Sequence, residues 1–375
     1  MISISVKEYP KIIRHLYANS VPMMTYGPPG IGKTEIQFQE AQAEAKKQEK
    51  IFIEWGKASK PDKAKAIANA DKYFCFIDMR LSQMEMSDIR GIPNLCEGAE
   101  GLEVLPWTWT IYATTKGASG VIFLDEINLA PPAIAASAYQ MINERVVADR
   151  PLSDGIWCAA AGNRTSDKAF TFEMPFPLKD RFAEIELVVD VDAWLDWAMK
   201  TSCVNSHIIA FIQWKNSYIY KVDKKGADKA VTPRGLVRAS KLIEGRNIIE
   251  DPDVYAFVSM SVGEAFTAEW RAYVKNYKTL KWDDIYANPK KALKGMVPDL
   301  LFACTGGLVE RYQAKVDIDQ FNATMKVCLA LQADFAVTVL HQMVKTDKQK
   351  WRTFSRKSGK IFDQVVSQCG KFLAD

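Results

Sequence analysis

The chain lacks the residues that would tie it to a metal or to an oxidising compartment. Its seven cysteines (Cys75, Cys96, Cys158, Cys203, Cys304, Cys328 and Cys369) are scattered singly, and no two form a C-x-x-C pair. Its three histidines, His15, His207 and His341, are as dispersed. A structural zinc site draws its ligands from closely spaced pairs, so none is expected. The cysteines read as reduced thiols of a cytoplasmic protein. No run of about 18 apolar residues occurs, so no membrane span is expected. The opening MISISVKEYPKIIRH has no long apolar core of the secretory type. Internal repeats, low-complexity tracts and a helix-turn-helix signature are absent. Charge of one sign is also scarce. The 49 Lys and Arg against 45 Asp and Glu leave a formal +4, which permits nucleic-acid contact without arguing for it.

What is present is core material. The 375 residues are 48% hydrophobic, enough for two or three domains at roughly 100–200 residues each. Residues 7–19 carry apolar side chains at helical spacing, with Pro10 near the start where proline is tolerated. Five apolar runs then read as buried strands: Val21–Tyr26, YFCFID at 73–78, VIFLDEIN at 121–128, GIWCAAAGN at 155–163 and FAEIELVVD at 182–190. Helix formers fill 34–47 and 132–144 between them. Runs buried on both faces and separated by helices indicate a parallel sheet in an α/β layer. Residues 48–72 read as a polar, lysine-rich insert, and 91–120 as an inserted hairpin with a short helix. After Asp190 long helical segments take over. The ten tryptophans, several of them in that half, read as helix-packing residues.

Met24–Thr34 reads MTYGPPGIGKT. Within it Gly27, Pro28, Pro29, Gly30, Ile31, Gly32, Lys33 and Thr34 match G-x-x-x-x-G-K-[ST], after a strand and before a helix. The glycines let the backbone turn its N–H groups inward to form a nest for a polyphosphate at a helix N-terminus. Lys33 would reach the β- and γ-phosphates, and the Thr34 hydroxyl would coordinate Mg²⁺. Asp125 ends an apolar run and is placed to hold the metal's water shell. Glu126 follows it as a base for an attacking water. A kinase would need no such water activator, so the acid pair favours hydrolysis over transfer. Asn163 ends the run GIWCAAAGN, where an amide could sit between the γ-phosphate and the water.

Loop, acid pair and strand-end asparagine in this order resemble the AAA+ ATPases, and more narrowly the MoxR-like branch with its dynein-related subfamily. The narrower likeness rests on DEIN with APP (125–128 and 130–132), SDIRGIP (87–93), AAGNR (160–164), MPFPLKDRF (174–182) and TPRGLVRA (232–239). It covers roughly residues 5–270. The resemblance implies a P-loop αβα core at 1–190, an α-helical lid at 191–280 and a helical C-terminal extension at 281–375. It makes Gly27–Thr34 Walker A, Asp125 and Glu126 Walker B, and Asn163 sensor 1. Arg181 becomes the arginine finger offered to a neighbouring subunit, and Arg234 becomes sensor 2. Arg164, next to the sensor asparagine, is a rival trans-acting residue. Many MoxR-like chains read DEINR where this one has Leu129.

The implied cofactors are ATP and Mg²⁺, and the preference for ATP over GTP comes from the resemblance alone. The implied assembly is a cytoplasmic homo-hexamer that hydrolyses ATP at subunit interfaces to remodel a protein client, such as one with a von Willebrand factor A domain. A compact form without an appended partner domain suits a bacterial or bacteriophage genome. The alternative is a nucleic-acid motor or loader, and a third reading is a slow nucleotide-gated scaffold. Two features bear on these. Trp107, Trp109 and Tyr112 in the insert either face a ring's centre or pack the insert onto the core. Residues 345–360 are basic, with Trp351 and Phe354 interleaved, and could contact phosphates and stack bases.

Overall fold

Apolar runs without polar alternation must bury both faces, and this chain lays them side by side in one sheet. The computed structural model describes residues 1–94, 103–164, 172, 174, 176–201, 203–222, 228–248 and 250–369. Met1–Asp190 forms one compact unit and Val191–Asp375 another.

The first unit holds β1 (Ile2–Ser5), α1 (Tyr9–Ala18), β2 (Met23–Tyr26), α2 (Lys33–Lys47), β3 (Ile51–Glu54), α3 (Lys60–Ala68) and β4 (Tyr73–Arg80). Then come α4 (Met86–Arg90), β5 (Ile92–Asn94), β6 (Glu103–Leu105), α5 (Thr108–Thr114), β7 (Ser119–Asp125) and α6 (Pro132–Asn143). It closes with β8 (Val146–Val147), β9 (Arg150–Pro151), β10 (Gly155–Gly162), α7 (Phe176–Lys179) and β11 (Ala183–Val188). Seven strands pair in the order β1-β11-β2-β10-β7-β4-β3, and every pairing is parallel. The five central strands are the five apolar runs read from the sequence. Phe74, Phe76, Phe123, Met23 and Leu187 on them are essentially inaccessible.

Both edge strands escape that reading. β1 lies beside β11 and β3 beside β4. An edge strand buries less of itself, so its sequence need not be apolar throughout. Ile2 is 72% exposed and Ile51 55%. The stretch 48–72 is therefore not an insert. It contains a strand and a helix that widen the sheet by one strand. The segment 91–120 does contain a hairpin, β5 paired with β6, and the short helix α5, while residues 95–102 lie outside the described part. Two of its aromatics, Trp109 and Tyr112, pack inward. Tyr112 is buried, with its hydroxyl on the carbonyls of Tyr73 and Ser119. Trp109 is buried and Trp107 half-exposed, and their indole N–H groups reach the carbonyls of Asp88 and Ser87.

The second unit is built from helices, with one isolated antiparallel bridge between Lys221 and Val231 among its described residues: α8 (Val191–Thr201), α9 (Ser206–Trp214), α10 (Pro233–Leu242), α11 (Asp253–Val262), α12 (Glu264–Lys278), α13 (Trp282–Ala287), α14 (Pro289–Leu293), α15 (Pro298–Ala314), α16 (Ile318–Cys328), α17 (Ala333–Thr346), α18 (Lys348–Ser358) and α19 (Lys360–Cys369). Its core is aromatic. Phe211 meets Phe266 and Tyr273 edge-on at 5.2 and 5.6 Å, a geometry ring quadrupoles favour. Gly306 and Gly307 on α15 allow close approach. A Cβ on Gly307 would overlap the Tyr277 and Trp282 rings. Segments 191–280 and 281–375 pack on each other through α9, α12 and α15. Among the described residues no helix is long and apolar enough to cross a membrane.

Trp270 is completely buried in this core. Trp270→Ala is expected to lower the unfolding free energy of the second unit by about 3–5 kcal/mol, the usual cost of an aromatic-sized cavity. Urea unfolding followed by circular dichroism measures it. A loss under about 1 kcal/mol would contradict the core described here.

Candidate active site

Parallel strands end together, so the loops that leave their C-terminal edges share one rim, and a ligand site forms where strand order reverses. Here the reversal falls at β2, flanked by β10 and β11. The loop that leaves β2 is the glycine-rich one. Gly32 sits at the head of α2 with φ +102°, a backbone state open to glycine and strained for any residue with a Cβ. No side chain caps α2, so its first N–H groups point toward the loop as an anion site.

The side chains from sequence converge on this rim. Lys33 is buried, 8% exposed, and its ammonium donates to the carbonyls of Gly27 at 2.6 Å and Pro28 at 3.1 Å, and to Asn163 Oδ1 at 3.4 Å. The Thr34 hydroxyl donates to Asp125 Oδ2 at 3.0 Å. Asp125 Oδ1 accepts the Glu126 backbone N–H at 3.0 Å. Thus α2, β7 and β10 meet through four side chains.

Three further residues act on these, and the sequence alone did not single them out. Ser82 Oγ donates to Glu126 Oε2 at 2.6 Å. Glu126 itself has φ +56° and ψ +33°, a left-handed state uncommon outside glycine. Asn128 clamps the end of β10: its Nδ2 donates to the Asn163 carbonyl at 2.7 Å, and its Oδ1 accepts the Asn163 N–H at 3.1 Å. Gly162 makes the clamp feasible, because a Cβ there would lie 2.5 Å from Asn128 Oδ1. Behind the loop, the buried Tyr9 hydroxyl is 2.9 Å from Thr25 Oγ1 and accepts from Gln37 at 3.0 Å. That ties α1 to β2 and α2, and burial pushes the Tyr9 hydroxyl up to about 12. Asn128 belonged to a quoted motif. Ser82 had no local signal, since its partner is 44 residues away.

The arginines differ in their surroundings. Arg164 bonds Glu186 on β11 at 2.9 Å, and Glu186 also accepts from Ser3 at 3.1 Å. Arg181, between α7 and β11, is exposed and has no side-chain partner among the described residues. Arg234 lies exposed in the first turn of α10, in the second unit. That helix is capped by Thr232, whose Oγ1 accepts the Gly235 N–H at 3.0 Å.

The Thr34 hydroxyl and the Asp125 carboxylate are hard oxygen donors held together, which suits a small divalent cation. Among the described residues no cluster of three or more His, Cys, Asp or Glu side chains could hold a metal by itself. An ion here would therefore take its other ligands from water and phosphate oxygens, the habit of Mg²⁺ at nucleotide sites.

No family model matches the chain, and no curated protein matches it. Solved structures do. A proposed ATPase from Cytophaga hutchinsonii aligns with 97% of this chain and 90% of its own, at 12% identity and a TM-score of 0.33. NtrX from Brucella abortus in complex with ADP aligns with 82% of this chain, which spans 64% of that one, at 12% identity and a TM-score of 0.37. A single-substitution variant of Thermotoga maritima RuvB aligns with 79% of this chain and 82% of its own, at 15% identity and a TM-score of 0.37. With scores this low, function has to be read from this chain's own residues.

The rim also gathers negative charge. Asp78, near the end of β4, is pushed up to about 6 from an ordinary carboxyl. Partial loss of hydration around the carboxyl comes first, then repulsion from Asp125, with Glu54 and Glu126 adding to it against the pull of Arg80; Asp78 still stands exposed on its strand, where water screens these charges. A carboxyl raised in the folded state favours folding below its unfolded pKa of about 3.9. That contribution falls as pH rises and is gone above about 6. Asp78→Asn is thus expected to melt higher than the wild type at neutral pH, with the gap closing toward pH 4. Thermal denaturation without nucleotide or divalent cation tests this. A gap independent of pH would refute the assignment.

Proposed function

We propose that the chain is an AAA+-type ATPase that hydrolyses ATP with Mg²⁺. The observation that carries this reading is the convergence of Lys33, Thr34, Asp125 and Asn163 on one strand-end rim, with Glu126 held beside them. In the proposed mechanism the N–H groups of Gly27–Thr34 and the head of α2 cradle the phosphates. Lys33 exchanges its loop carbonyls for the β- and γ-phosphate oxygens. Thr34 and Asp125 would hold the ion, which when bound would draw charge off the phosphates. Glu126 orients and deprotonates the water, and Asn163 fixes its approach. The 2.6 Å bond from Ser82 to Oε2 steers the Glu126 carboxylate and leaves its second oxygen to take the water's proton.

Arg181 is proposed to serve a neighbouring subunit's phosphates, because it is exposed and unpaired while Arg164 is engaged by Glu186. An arginine so placed is worth about 10³–10⁵ in rate. The site is then complete only in an oligomer, for which a homo-hexameric ring is the proposed form. Arg234 is proposed as the sensor arginine of the helical unit. Adenine as the base, a MoxR-like remodelling role and a protein client with a von Willebrand factor A domain are supported by motif resemblance.

Glu126→Gln is expected to bind ATP and turn it over at least about 10²-fold more slowly, as loss of a general base would. Arg181→Ala should be as inactive alone. Mixing the two should restore turnover, because each supplies what the other lacks across an interface. Mixing without recovery would argue against a trans-acting Arg181. Pull-down of Glu126→Gln with ATP and Mg²⁺ tests the client. A stoichiometric protein supports remodelling, and nucleic acid without any protein client moves the function to a motor or loader.

Asn128→Ala should lower kcat with little change in nucleotide affinity, because its two bonds position Asn163. In the double variant Asn128→Ala/Asn163→Ala the losses should be much less than additive. Additive losses would show that Asn128 does not act through Asn163.

A further inference from the structure

Charge is shared unevenly between the two units. Residues 1–190 hold 21 basic and 25 acidic side chains, and residues 191–375 hold 28 and 20. The surplus is densest on α18 and the first residue of α19. Residues 348–360 contain Lys348, Lys350, Arg352, Arg356, Lys357 and Lys360 and no acid.

The inner face of this helix is settled. Trp351 and Phe354 pack on Phe321 at 5.3 and 5.7 Å between ring centres, and Trp351 meets Phe362 at 5.6 Å. The outer face is cationic and unneutralised. Lys350 reaches the Val316 carbonyl at 3.2 Å. Lys348, Arg352, Arg356, Lys357 and Lys360 are exposed, and their side chains have no ion pair or hydrogen bond among the described residues. Asp347, the adjacent acid, caps the helix by accepting the N–H groups of Gln349 and Lys350. The helix dipole accounts for Arg356 and Lys357 in the last turn, where cations are favourable. It does not account for Lys348 in the first turn, where a cation is unfavourable. Lys348, Arg352 and Arg356 follow one ridge, rising about 6 Å per step.

We propose that the outer face of α18 docks on the phosphate backbone of double-stranded nucleic acid. A regular ridge of point charges matches a line of phosphates. Single strands are the poorer fit, because the aromatics that would stack unpaired bases are held against Phe321. An anionic membrane is also a poorer fit, because no large apolar side chain on the outer face is free to enter it. The inference does not depend on ATP hydrolysis.

The test is fluorescence anisotropy of the full chain with a labelled duplex DNA of about 25 bp and arbitrary sequence, at about 50 to 200 mM salt. The triple variant Arg352→Glu/Arg356→Glu/Lys357→Glu is compared with a reversal elsewhere on the same unit, Lys275→Glu/Lys278→Glu/Lys281→Glu. The α18 variant should bind at least about tenfold more weakly and flatten the salt slope by about 2–3 units, at about 0.9 per phosphate contact. The control should lose less than about threefold. The milder Arg352→Gln/Arg356→Gln should move the same way, which separates lost contacts from a folding defect. Equal losses in both triple variants, a single strand bound as tightly as the duplex, or polyglutamate competing as well as DNA would each overturn the proposal.

Discussion

The 3.0 Å bond from the Thr34 hydroxyl to Asp125 is the constraint on which the candidate site depends. It joins the first turn of α2 to the end of β7, although β2 and β7 are not neighbours and β10 lies between them. The bond can form only because the strands are parallel and end at one level. That requires central strands buried on both faces, and hence the apolar runs that fill them. Lys33 closes the same circuit through Asn163, the residue that follows β10. Disturbing the register of any of these strands would part the oxygens that the proposed metal needs together.

Around that circuit the structure holds its reactive groups by their backbones as much as by their side chains. Glu126 is turned by a left-handed backbone and tethered by Ser82. Asn163 is gripped at its main chain by Asn128, leaving its side chain to face Lys33. Holding a residue by its backbone leaves its chemistry free. It also makes the holder's identity strict, since only a side chain with both a donor and an acceptor can span the carbonyl and the N–H of one residue.

The second unit follows a different logic. Its helices are joined by aromatic rings and two adjacent glycines on α15 rather than by a sheet. Trp351 and Phe354 show the consequence. In the sequence they stand among cations and resemble a stacking platform. In the structure they are the inward stripe of α18, and the cations face water beside Gln349 and Thr353.

The sequence by itself determined the parallel core, its five central strands, the loop at Gly27–Thr34 and the strand-end positions of Asp125, Glu126 and Asn163. Those features are local: a strand buried on both faces needs an unbroken apolar run, and a phosphate nest needs contiguous glycines. The tertiary structure decided the rest. The edge strands β1 and β3 are four residues each and stay mostly accessible, too short to stand out as buried runs, so 48–72 reads as an insert until β4 is placed beside it. Ser82 meets Glu126, and Arg164 meets Glu186, across 44 and 22 residues. Such pairings are fixed by strand order, which no local pattern encodes. The contrast between Arg164 and Arg181 has the same origin: the two look alike in the chain, and only the fold gives one a carboxylate and leaves the other exposed.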